Sequence, residues 1–106
     1  MFFNVSGLLL DALVLSVVNR NDTYGYEITQ SIRKAVEVSE STLYPVLRRL
    51  QKEMCLETYD MEYQGRNRRY YKITSKGKSQ LSLYLEEWKI YKKNIDNVFS
   101  GGIKDE

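Results

Sequence analysis

The spacing of apolar residues changes twice along this chain, and those two changes set the order of its elements. Up to about Glu53 apolar side chains return every three or four positions; from Cys55 to Ile73 that period fails; from Ser75 it resumes without a break. Such a pattern predicts three helices, a β-hairpin and a long closing helix.

In the first helical segment Leu9, Ala12, Leu13, Ser16 and Val17 recur between Leu8 and Asn19, and Leu10, Val14 and Val18 widen the stripe. A helix so apolar must be covered on most sides. The stretch from Phe2 to Val18 raises the question of a leader or a membrane span. It lacks a basic start, carries Asp11 in its middle and is shorter than the roughly 20 apolar residues a span requires, so it reads as a buried helix. Asn19 to Asp22 form a polar break, and Thr23 is placed to cap a second helix from about Tyr24 to Val36, with Ile28, Ile32 and Ala35 or Val36 inward.

Glu37, Val38 and Ser39 make a short turn. A third helix is expected from about Glu40 to Glu53, with Ser39 or Ser41 as N-cap and Leu43, Val46, Leu47 and Leu50 buried. Pro45 is tolerable because few intrahelical N–H bonds are lost near a helix start. Leu56, Thr58, Tyr59 and Tyr63 suit a strand, Gln64 to Asn67 a turn, and Arg68 to Ile73 a second strand. Thr74 is placed to cap the last helix, Ser75 to about Phe99, which Ser100, Gly101 and Gly102 end before a fraying polar tail.

Composition narrows the chemistry. The chain has no His and a single Cys, which removes the commonest general base, the commonest zinc ligand, any intramolecular disulfide and any thiolate cluster. No catalytic residue, metal site or cofactor is expected. Cys55 suits a reducing, cytoplasmic setting as a small buried hydrophobe.

The net charge of +2 says little until it is placed along the chain. From Arg66 to Lys78 there are six basic residues (Arg66, Arg68, Arg69, Lys72, Lys76, Lys78) and no acid, which leaves −4 on the remainder. Arg48, Arg49 and Lys52 of the third helix adjoin that segment, and together they make a phosphate-binding footprint. The element order describes a mainly α (α+β) fold, a winged helix-turn-helix with an added long C-terminal dimerisation helix. Residues 1–74 form the DNA-binding domain and 75–106 the dimerisation helix and tail. In this architecture the third helix enters the major groove and the hairpin follows the backbone or the minor groove. Arg48 or Arg49 is placed to meet guanine, and Ser41, Thr42 and Tyr44 to meet phosphates or base edges.

Three motifs carry a family resemblance: YGYEI at Tyr24 to Ile28, STLYPVLRRL at Ser41 to Leu50 and RRYYKITSKG at Arg68 to Gly77. Over about residues 8 to 90 the chain resembles the PadR family of bacterial transcriptional regulators. The resemblance implies a dimeric winged-helix repressor that binds a two-fold operator in double-stranded DNA and releases it when a small, often aromatic or hydrophobic, effector binds. It implies DNA contacts from Ser41, Thr42, Tyr44 and Arg48 on the helix and from Arg66, Asn67 and Arg68 at the wing. Two positions depart from the pattern: Tyr24 stands where members commonly have His, and Met54 where they usually have Gly after the recognition helix. With one helix after the wing, the chain is similar to the short branch, in which that helix alone mediates dimerisation and some members bind drugs in a hollow between subunits.

Along the last helix Leu81, Tyr84, Leu85, Trp88, Tyr91, Ile95 and Val98 recur at spacings of three and four, too long a stripe for so small a core to cover. With Leu9 and Leu13 of the first helix it is expected to form a homodimer seam. EEW at Glu86 to Trp88 resembles the segment of the drug-binding members whose tryptophan stacks on planar ligands. Lys89, Lys92 and Lys93 follow at once, which favours neutral or anionic aromatics over cations. Two other readings compete: a winged-helix protein–protein module, which gives no reason for the basic wing, and an RNA or single-strand binder stacking bases on Tyr63, Tyr70 and Tyr71.

Overall fold

Ser6 starts the first helix by accepting a hydrogen bond from the Leu9 N–H at 3.1 Å. In the computed structural model, which describes residues 6–101, α1 runs Gly7–Arg20, β1 Thr23–Tyr24, α2 Gly25–Arg33, α3 Glu40–Lys52, β2 Leu56–Tyr63, β3 Arg66–Ile73 and α4 Ser75–Phe99. Phe2 to Val5, Gly102 and the expected fraying tail lie outside the described residues. The fold is a winged helix, mostly helical, with the long closing helix packed on α1.

The core lies between α1, α2, α3 and one face of a three-stranded antiparallel sheet of order β1-β3-β2. Val14, Leu15, Val18, Ile28, Leu43 and Leu47 are almost wholly buried there. On α1 the buried line runs through Leu10, Val14 and Val18, while Leu9, Leu13 and Val17 sit on a half-covered flank. No helix among the described residues is long and apolar enough to cross a membrane.

Three expectations need correction. Thr23 and Tyr24 do not begin a helix: they pair with Tyr71 and Tyr70 as a third strand, and Tyr24 is the N-cap of α2, which ends at Arg33; beyond it Val36 packs on the core while Ala35 is exposed. The hairpin turn is only Gln64 and Gly65, both at positive φ (52° and 79°), so Arg66 and Asn67 are strand residues facing Tyr63 and Glu62. A two-residue turn of this hand matches the twist of its flanking strands. Leu81 lies in the core of the single chain and not on its surface.

The end of α3 positions the wing. The Cys55 N–H bonds the Leu50 carbonyl at 2.8 Å and the Met54 N–H the Gln51 carbonyl at 3.0 Å, a Schellman closure that requires a left-handed residue, here Met54 at φ 68°. Thr74 then ties this corner to α4: its hydroxyl donates to the Met54 carbonyl at 2.6 Å and accepts from the Gly77 N–H at 3.0 Å. Gly77 lets the helix start that close, since a Cβ there would stand 2.2 Å from the Cys55 carbonyl oxygen.

Candidate nucleic-acid interface

Helical geometry decides which α3 side chains point outward. At 100° per residue Ser41, Pro45, Arg48 and Lys52 fall on one line, opposite the buried Leu43, Leu47 and Leu50. All four are exposed, with Tyr44 on one flank and Thr42 and Arg49 on the other. Ser39 caps the helix, accepting from the Thr42 N–H at 3.3 Å. Its hydroxyl also meets those of Ser41 and Thr42 at 3.0 and 3.1 Å, which gathers three hydroxyls at the helix start.

Arg49 is drawn out of this outward set. Its guanidinium pairs with Asp11 of α1, whose side chain is 3% exposed, and lies 3.6 Å from Glu53. The hydrogen bond to Asp11 holds the Arg49 pKa above its already high range. The second oxygen of Asp11 accepts from the Tyr84 hydroxyl at 3.4 Å, so one buried carboxylate joins α1, α3 and α4. Burial, then Asp11, push the Tyr84 hydroxyl pKa up. In the sequence Asp11 reads only as a mark against a membrane span. Its lone acidic position inside an apolar helix was the available signal, for a buried charge needs a partner.

The three motifs meet in space. Gly25 leaves room for the ring of Tyr44, whose Cε1 would lie 3.2 Å from a Cβ at that position, so the YGYEI segment seats the recognition-helix tyrosine. Tyr24 in turn packs its ring 5.6 Å from Tyr70, and Tyr70 stacks on Tyr59 at 5.7 Å. The Tyr59 hydroxyl donates to Asp22 at 2.8 Å, which raises its pKa.

The wing is less basic than its second strand. β2 contributes Glu57, Asp60 and Glu62, so the hairpin Leu56 to Ile73 nets only +1 and not the acid-free charge of the segment from Arg66. Register distributes these acids: Asp60 faces Arg69, with an ion pair of 3.9 Å, and Glu57 faces Lys72. The neighbours of Arg66 and Arg68 across the strands are Tyr63 and Met61, so the cations opposite uncharged residues lie at the tip. Base stacking on the tyrosines is disfavoured by the same geometry. Tyr71 is buried, Tyr70 is enclosed between Tyr24 and Tyr59, and Tyr63 has Arg68 over its ring.

A recognition helix with an outward polar line beside a two-stranded wing is the architecture of a duplex-DNA reader. The sequence profile of the Transcriptional regulator PadR-like family matches residues 14–83. The chain belongs to this family. Its members are transcriptional regulators that bind DNA. A Streptococcus mutans protein of known crystal structure is similar over the whole of both chains, at 42% identity and a TM-score of 0.91. A PadR family transcription regulator from Clostridium difficile is 31% identical with a TM-score of 0.78, covering 85% of this chain and 97% of that one. An uncharacterized protein of Lysinibacillus sphaericus is 39% identical over 87% of this chain and 89% of its own length.

The remaining sites expected from the sequence lie on α1 and α4. Leu9, Leu13, Tyr84 and Ile95 are half-covered, while Leu85, Trp88 and Tyr91 are exposed. Trp88 is 42% exposed, with Tyr91 beside it at 6.3 Å between ring centres. Val98 and Phe99 continue the bare surface, and Phe99 is 78% exposed.

Proposed function

We propose that this regulator is a cytoplasmic repressor that works as a homodimer on a two-fold operator, residues 1–74 binding DNA and 75–106 joining the subunits. The observation that carries this reading is the uncovered stripe of α4: of its 25 residues only Gly77 and Leu81 are buried, while Leu85, Trp88, Tyr91 and Val98 stand in solvent. An exposed apolar strip of that length marks an interface. A second α4, with the Leu9 and Leu13 flank of α1, supplies cover at the scale of a stable dimer, about 1,200–2,000 Å² in total.

The Trp88 region is the proposed effector seat. One turn on, Lys92 shares its face of the helix, whereas Lys89 is engaged by Glu86 at 3.8 Å. A planar neutral or anionic aromatic held between subunits suits that surface, and its binding loosens the grip on DNA. Ser41, Thr42, Tyr44, Arg48 and Lys52 on α3, and Arg66, Asn67, Arg68 and Lys72 on the wing, are the proposed DNA contacts.

Footprinting of the DNA upstream of its own gene tests the reading. The expected result is two protected half-sites about one helical turn, 34–36 Å, apart, with protection lost as a planar aromatic quenches Trp88 fluorescence. A single protected half-site overturns the two-fold model, and quenching without loss of protection overturns the effector.

A further inference from the structure

Arg68 is held differently from every other cation of the wing. Its guanidinium carbon lies 4.0 Å from the centre of the Tyr24 ring and 4.2 Å from that of Tyr63. Among the described residues it has neither a carboxylate nor a hydrogen-bond partner. The rings come from opposite sides: Tyr24 from β1 at the mouth of α2, Tyr63 from the last position of β2 before the turn. Tyr24 is braced in turn by Tyr70, and Tyr70 by Tyr59.

A guanidinium whose carbon lies over two rings, one from each flanking strand, is held by them and can offer its remaining donors at its edge. An exposed arginine loses rotamer freedom when it binds; here much of that ordering accompanies folding. The edge of such a group matches the two oxygens of a phosphodiester, a bidentate match that a lysine does not reproduce.

We propose that the Tyr24–Arg68–Tyr63 cluster is a preformed seat for a backbone phosphate of duplex DNA, with Arg68 as the ligand and the two tyrosines as its positioning residues. The proposal rests on the DNA-binding reading and adds to it a role for Tyr24 and Tyr63. Tyr24 also adjoins Gly25, against which the ring of Tyr44 lies.

The test is the affinity of the full chain for two unrelated duplexes of about 30 base pairs over a salt series. Arg68→Met is expected to weaken both about tenfold at low salt and to reduce the slope of log K against log salt by about 0.9 per seat. Tyr24→Leu and Tyr63→Leu leave the net charge unchanged and are expected to weaken both duplexes at least about threefold, whereas Tyr24→Phe and Tyr63→Phe retain binding because a phenyl ring stacks as well. Arg68→Lys keeps the charge and loses affinity. The double variant Tyr24→Leu with Arg68→Met binds no more weakly than Arg68→Met alone, because the ring acts through the arginine.

Melting curves identify any variant that fails to fold. Should Tyr24→Leu do so, Tyr63→Leu and Arg68→Lys decide. Additive losses in the double variant, or leucine variants that bind as tightly as the unaltered protein, overturn the seat alone. A loss confined to one duplex makes Arg68 a base reader and overturns the phosphate assignment. If the unaltered protein binds neither duplex at low salt, the DNA-binding reading fails and the seat with it.

Discussion

Met54 carries a side chain through a backbone conformation that costs most L-residues roughly 1 kcal/mol or more, and its side chain is 67% exposed, so it gains little from packing in return. Replacing it with glycine removes the steric penalty and loosens the unfolded chain slightly. The net expectation is a gain of about 0.5–1 kcal/mol, read from the urea midpoint at unchanged m-value. Buried Cys55 and Tyr71 and half-covered Tyr84 contribute to a loss of stability at alkaline pH. Burial pushes the Cys55 thiol and the Tyr71 hydroxyl above their ordinary pKa values, and burial with Asp11 does the same for Tyr84. The unfolded chain gives up these protons at lower pH than the native one, so unfolding releases protons as pH rises and the stabilisation is lost upward. The melting temperature is expected to fall as pH climbs from about 9 past 11, and to fall less steeply in Tyr84→Phe.

Within elements, neighbouring arginines of α3 have opposite fates because helical rotation gives them different surroundings. Arg48 shares the outward line with Ser41 and Lys52; Arg49 reaches back to a carboxylate that is 3% exposed. Arg48→Ala or Lys52→Ala is therefore expected to weaken duplex binding, with stability changed by less than about 0.5 kcal/mol. Arg49→Met strands Asp11 with only the Tyr84 hydroxyl and is expected to cost about 3 kcal/mol, measured by denaturant unfolding. These contrasts show what a sequence can and cannot reveal. The Leu43, Leu47 and Leu50 stripe and the Thr74 cap were legible because each is written in neighbouring residues, which also narrowed the α3 cap to Ser39 or Ser41, of which Ser39 makes the bond. The Thr23–Tyr24 strand was not, since its hydrogen-bonding partners lie at Tyr70 and Tyr71. The Asp11–Arg49 pair spans 38 positions. The acids of β2 were visible all along, but only register places Glu57 and Asp60 across from Lys72 and Arg69.

The whole molecule is stretched. Its radius of gyration is 16.3 Å and its long axis 64 Å, whereas a compact chain of this length has a radius of about 13 Å. The excess comes from α4, which runs on past the core that covers its first three turns, as far as Tyr84. Leu85→Glu places a charge in the proposed seam and is expected to yield monomers at micromolar concentration by light scattering. Retention of a dimer would move the seam elsewhere. Asp11 bears on any attempt to re-engineer this molecule. Because its two oxygens are shared between Arg49 of α3 and Tyr84 of α4, the closing helix is not an interchangeable part. A chimera that grafts a relative's segment in place of Ser75–Phe99 keeps the hydroxyl bonded to Asp11 only if position 84 stays tyrosine.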